Sequence, residues 1–188
     1  MNLYAYCLGD EATAVVVGDV AGVAGARPRL VARAGLTAVV SEYGEERIAV
    51  TREGVLAHER VVRRVLAETT PLPFRFGTIV SEARLESYLD TQQAKLKAQL
   101  ARVRGAVEMS VKIIWNREAA GAVAEEPAGG SGTRFLMKKR RELLGEGEAE
   151  GRAAEVEAWL GRARTERPEL HFLTSGAWPP YSFTRVDP

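Results

Sequence analysis

Cysteine is almost missing from this sequence: Cys7 is alone among 188 residues, so the chain can close no disulfide on itself. A single thiol in an apolar stretch fits a reducing compartment, and a cytoplasmic location is the expectation. Histidine is nearly as scarce. His58 and His171 are the only two, and no Cys/His cluster has the spacing of a metal site. No apolar run approaches the ~20 residues of a membrane-spanning helix. The opening Met1-Asn2-Leu3-Tyr4 lacks the basic and apolar regions of a secretory leader. Charge of one sign is not in excess either: 26 basic side chains stand against 25 acidic ones, for a formal net charge of +1. That balance argues against a general nucleic-acid binder, which concentrates cations on one face. The expectation from these absences is a protein without a cofactor, a bound metal or a membrane partner.

What is present is an alternation of strand and helix signals centred on residues 72–78, Leu-Pro-Phe-Arg-Phe-Gly-Thr. Pro71 and Pro73 exclude helix there, and Phe74 and Phe76 carry apolar mass, so the stretch reads as one short buried strand. Gly77 allows a close approach or an unusual dihedral. Arg75, between two phenylalanines, is expected to tie this strand to a helix through a glutamate or a carbonyl. Before it, residues 3–8, 14–17 and 36–43 read as strands and 21–29 as loop. Residues 51–67 read as a helix capped by Thr51, with Val55, His58, Val62, Val65 and Leu66 on one face. After it, residues 81–104 form the longest helical signal. Ser81 is the cap, Leu85, Leu89, Leu96, Leu100 and Val103 are the stripe, and Gly105 is the stop. Residues 107–115 alternate as a half-buried strand. An Ala/Gly-rich connection at 118–131, a basic helix at 133–144, a helix at 152–165 and a strand at 170–174 follow, without internal repeat.

The residues that could carry chemistry are few. His58 shares the apolar face of its helix, where a packed, hydrogen-bonded imidazole is the expected role. Cys7 reads as a small buried apolar group. The glycines at 129–132 precede lysines but lack the phosphate-loop spacing, and read as a linker. Lys138, Lys139, Arg140 and Arg141 form a compact basic run that can engage phosphates or an acidic protein face, or remain a solvated helix face. In Trp178-Pro-Pro-Tyr-Ser-Phe183, two prolines fix an extended backbone while Trp178, Tyr181 and Phe183 offer rigid contact area. That segment suits either a core-locking strand or a docking site. No nucleophile, base and oxyanion site converge, and no enzyme activity is expected.

Five stretches together resemble the gas vesicle protein F/L family of assembly proteins: residues 3–6, His58 with Val62, residues 72–78, the 111–115 strand and residues 178–183. The resemblance implies an α+β protein of two small domains, set here at 1–104 and 105–188, the second ferredoxin-like. It also implies an accessory or minor structural role in the cytoplasm, contacting the major gas vesicle shell protein, which is small and apolar, and other accessory proteins. Trp178, Tyr181, Phe183 and Lys138 to Arg141 are then the candidate partner-binding residues, along with the apolar face of the 81–104 helix. Arg75, Phe76, Gly77 and His58 take structural roles. The family pattern has a longer region, with a strand pair, before the last helix. Here that region is short, so the ferredoxin-like part is expected to lack its middle two strands and to leave the 107–115 strand with an open edge for self-association. The alternative is a ferredoxin-like nucleic-acid-binding protein using the basic helix at 138–141.

Overall fold

In the computed structural model, residues 2–10, 17, 19–115, 149–183, 186 and 188 are described. They fall into two compact units, Met1–Glu108 with Trp178–Pro188, and Met109–Ala177. Mixed helix and strand make the chain α+β.

The first unit is built on β1 (Asn2–Asp10), which is antiparallel to β3 (Leu36–Tyr43) on one side and to β4 (Leu72–Pro73) and β5 (Ile79–Ser81) on the other. β2 (Arg29–Arg33) extends the sheet beyond β3. This strand falls partly in the stretch read as loop and partly between the expected elements. The β2–β3 connection is the two-residue turn Ala34-Gly35, both at positive φ (55° and 70°), the left-handed conformation that a tight hairpin needs.

Each face of the sheet carries one helix. Leu3, Ala5, Leu8, Leu36, Ala38 and Val40 face α2 (Glu82–Val103), which buries Leu85, Leu89, Leu96, Leu100 and Val103 against them. Tyr4, Tyr6, Cys7 and Val39 face α1 (Arg52–Leu66), which buries Ala57, Val61, Val62 and Val65. A strand should alternate strictly, yet Tyr6 and Cys7 lie on the same face. The register supplies the reason: Ala5 pairs with Val40 and Cys7 with Val39, so Tyr6 is the extra residue of a bulge. Both expected caps form, with the Gly54 amide donating to Thr51 Oγ1 at 3.1 Å and the Arg84 amide to Ser81 Oγ at 3.3 Å.

The expected stripe of α2 is therefore spent on the core. At about 2 kcal/mol for each buried side chain, exposing its five apolar residues forfeits on the order of 10 kcal/mol. That is comparable to the whole net stability of a domain, about 5–15 kcal/mol. The apolar face of this helix is not a free partner surface. The α1 stripe is corrected in another way: Val55 is 40% exposed, and the buried face is instead Ala57, His58, Val61, Val62 and Val65.

The second unit contains most of β6 (Glu108–Trp115), the helix α3 (Ala149–Glu166) and β7 (Leu170–Trp178), with β6 and β7 paired. Leu160 and Phe172 are its described buried apolar residues, and Arg164 Nη2 donates to the Phe172 carbonyl at 3.4 Å. β7 runs four residues past the expected strand. The shortened middle of the ferredoxin-like reading, the glycine-rich linker and the basic helix all fall on residues 116–148, outside the described residues.

Candidate partner-binding site

Residues 72–78 do not form one strand. β4 stops at Pro73 and β5 begins at Ile79; between them the chain loops out opposite Ala5 and Tyr6. The Phe74 amide donates to the Tyr6 carbonyl and the Ala5 amide to the Thr78 carbonyl, each at 2.9 Å, so pairing with β1 resumes on both sides of the loop. The Thr78 amide (3.2 Å) and Thr78 Oγ1 (2.8 Å) both donate to the Arg75 carbonyl, closing a four-residue turn. Gly77 takes φ = 88° at the third position, where such turns require it. The expected tie from Arg75 to a helix is thus replaced. Its carbonyl holds the turn, while its side chain is exposed and makes no ion pair among the described residues. Phe76 turns inward onto the first turn of α1, where a Cβ on Gly54 would stand 3.2 Å from its ring.

The same turn reaches Tyr4. The Gly77 amide donates to Tyr4 Oη at 3.1 Å, and Tyr4 Oη lies 2.9 Å from His58 Nδ1. Tyr4 Oη and Nδ1 share one proton between them, and the imidazole tautomer sets which of the two donates. Nε2 is buried without a hydrogen-bond partner. His58 is 3% exposed, and burial pushes its pKa from 6.5 down to about 4; the Phe74 backbone opposes this without making a hydrogen bond of ordinary geometry. The imidazole lies among Tyr4, Tyr6, Phe76 and Tyr181, with ring centroids 5.7 to 6.4 Å away. Burial likewise raises the pKa of Tyr4, Tyr6 and Cys7. His58 and Arg75 do not share an open cleft, since one is buried and the other exposed.

The aromatic segment after β7 returns to the first unit and lies along α1. Arg63 sits over the Trp178 ring at 4.5 Å and pairs with Glu59 at 2.6 Å. Tyr181 Oη donates to Glu59 Oε2 at 3.3 Å, and burial together with the Glu59 charge raises the phenol's pKa. The Ser182 amide and Oγ donate to the two oxygens of Glu108 at 2.8 and 2.6 Å. The Phe183 carbonyl accepts from Arg102 on α2, and Val186 is buried in the α2-side core. The segment thus passes from the α1 face to the α2 face. Trp178, Tyr181 and Phe183 remain half-buried, so each is partly spent on holding the chain and partly available.

Three aliphatic side chains stand out at the start of α1: Val50 is 83% exposed, Leu56 50% and Val55 40%. Val50 and Val55 occupy the positions of a hydrophobic staple around the Thr51 cap. Leu56 has no such role. Helical spacing flags it, because it points opposite Ala57, His58 and Val61. A cavity of about 400 Å³ lies beside this helix start, lined by Val23, Tyr43, Ile48, Glu53 and Arg60 among others. Of the sequence-predicted residues, His58, Phe76, Gly77, Tyr181 and Trp178 come together around α1. Lys138, Lys139, Arg140 and Arg141 lie outside the described residues, so no described feature favours the nucleic-acid alternative. Among the described residues no group of three or more His, Cys, Asp and Glu could hold a metal ion, and no helix is long and apolar enough to cross a membrane.

Comparison with known proteins gives a consistent picture. The family model described as gas vesicle synthesis protein GvpL/GvpF matches residues 2–158. Gas vesicle protein F of Nostoc sp. is 32% identical over 89 residues, and that of Microcystis aeruginosa 30% over 88 residues. Each match takes in 45% of this chain and 36% of the relative, so the chain aligns with about a third of their length. The crystal structure of gas vesicle protein GvpF from Anabaena sp. superposes with a TM-score of 0.71 at 16% identity, covering 99% of this chain and 97% of that one. GvpF from Microcystis aeruginosa gives 0.63 at 17%, covering 98% and 99%. At such identities the likeness shows the fold.

Proposed function

Because the chain belongs to the family of gas vesicle synthesis proteins GvpL/GvpF, we propose that it is an accessory protein of gas vesicle assembly that binds the major shell protein and other accessory proteins. The observation that supports this reading is the outward face of α1. Leu56, Glu59 and Arg63 recur at intervals of three and four residues and share one side of the helix. One end of that side is aliphatic, with Val50 and Val55 beside the half-exposed Leu56. The other end holds Trp178 against Arg63 and Tyr181 against Glu59. Aliphatic surface, an ion pair and a half-buried indole therefore form one stripe on a helix anchored by its opposite face. Tryptophan, tyrosine and arginine concentrate binding energy at interfaces, and a small apolar shell subunit offers matching aliphatic area.

The test is retention of the shell protein from the same gene cluster by this chain after co-expression. Leu56→Glu changes an exposed residue and is expected to fold, as circular dichroism will verify. It should weaken retention by about tenfold or more, a cost of ~1.4 kcal/mol. Undiminished retention by the Leu56→Glu variant removes this face from the proposal. No retention by the unaltered chain removes the reading itself.

A further inference from the structure

The sheet of the first unit has two edges, and they are finished differently. At one, β4 and β5 are interrupted by the looped 75–78 turn, and Pro71 and Pro73 take away backbone donors. At the other, β2 offers five regular residues. It is hydrogen-bonded to β3 on one side and, among the described residues, to no strand on its other side. Charged side chains often guard such an edge by standing over its open backbone. Here both arginines are drawn onto α2 instead. Arg29 Nη2 lies 2.9 Å from Glu82 Oε1, and Arg33 reaches Asp90 Oδ2 at 2.8 Å and Glu86 Oε2 at 3.3 Å. Leu30 is left 36% exposed and Ala32 is exposed.

We propose that β2 is a self-association edge, at which two copies of this chain pair antiparallel about a two-fold axis through Val31. A two-fold interface requires a patch that complements itself, and the strand Arg29-Leu-Val-Ala-Arg33 has the same chemical order in both directions. About that axis Val31 meets its own counterpart, Leu30 of one copy stands opposite Ala32 of the other, and Arg29 opposite Arg33. The arginines do not clash there as bare cations. Each copy brings two guanidiniums and three carboxylates to the seam, Glu82, Glu86 and Asp90 being already in contact with them. The spare carboxylate gives the other copy's arginine a partner. The pairing stands whether or not the chain serves gas vesicles.

Sedimentation velocity on the full chain across a concentration series tests it. The mass is expected to rise from 20.5 kDa toward twice that value. The double variant L30K/A32K places like charges directly opposite at two positions and should weaken pairing about tenfold or more; L30E/A32E should do the same. Mixing the two variants sets opposite charges against each other at both positions and should restore the dimer. Circular dichroism of each variant checks the fold. A chain that stays monomeric throughout overturns the proposal, as does a dimer indifferent to both double variants. A mixture that pairs no better than either variant alone overturns the register.

Discussion

Lowering the pH should unfasten the first unit at His58 before its carboxylates account for the loss. The imidazole is enclosed by Tyr4, Tyr6, Phe76 and Tyr181, its Nε2 has no hydrogen-bond partner, and burial holds its pKa at about 4. In the unfolded chain the same group titrates near 6.5. The unfolded state therefore binds the proton more tightly. The contribution of neutral His58 is fully present above pH 6.5, is lost progressively as the pH falls toward 4, and changes no further below that. Between pH 7 and pH 4.5 the loss comes to roughly 2–3 kcal/mol, at about 1.4 kcal/mol for each pKa unit. Urea unfolding at the two pH values, for the unaltered chain and for His58→Gln, isolates this amount, because the carboxylates titrate alike in both. The variant should start lower at pH 7, having lost the fit around Tyr4, and should fall less steeply. Equal losses of stability in the two proteins would refute the assignment of the titration to His58.

Three further outcomes follow from the same geometry. Tyr4→Phe removes the acceptor for the Gly77 amide and the hydrogen-bond partner of His58 Nδ1, and should cost about 1–3 kcal/mol in urea unfolding. Gly77→Ala meets open enough space, with Ile48 at 3.5 Å, but forces a side chain into φ = 88°; a loss of about 1–2 kcal/mol in thermal or urea unfolding is expected. Arg75→Leu should leave stability within ~0.5 kcal/mol, since the guanidinium is exposed and unpaired among the described residues while the carbonyl that closes the turn is retained. A larger loss would mean that the side chain carries a contact of its own.

Periodicity made the helices legible. The α2 stripe from Leu85 to Val103 and the caps Thr51 and Ser81 are local signals, and the structure returns them residue for residue. The sheet was less so. β2 is five residues long, begins and ends on arginine and is half-exposed, so neither its length nor its alternation separates it from loop. The break within residues 72–78 depends on what lies opposite: β1 carries its bulge at Tyr6 there, and the Tyr4 hydroxyl, some seventy residues away in sequence, takes up the Gly77 amide that a continuous strand would have used. The Arg75 side chain departs from its expected place for a related reason. Flanking phenylalanines suggest burial only if all three residues alternate in one strand, and in a turn the middle one points out. For the partner site, Trp178 and Tyr181 stand out in sequence as contact residues, whereas Leu56 is marked only by its outward place on the helical wheel. That the two aromatics lie beside Leu56 was not legible, because a return from β7 to α1 leaves no local trace in sequence.

The motifs that mark the chain as a relative of gas vesicle proteins F and L lie far apart in sequence, yet most of them touch. Tyr4 bonds both Gly77 and His58, and Tyr181 closes over His58 while holding Glu59. A set of buried side chains packed and bonded mostly to one another has little left to offer a partner. Its phenols are kept protonated and its imidazole neutral, and the aliphatic groups that remain outward lie outside the motifs, at Leu56, Val50 and the open side of β2, with the half-buried Trp178 and Tyr181 at their border. On the proposed function, recognition of partners falls to residues around the buried cluster of Tyr4, Tyr6, His58 and Gly77, which acts as their rigid support. Changes inside the cluster, such as Tyr4→Phe, should lower stability and binding in proportion. Leu56→Glu should lower binding at unchanged stability. Measuring unfolding and shell-protein retention on the same variants separates the two: if Tyr4→Phe abolishes retention while the protein remains fully folded under the binding conditions, the cluster itself makes the contact and the division drawn here between support and surface fails.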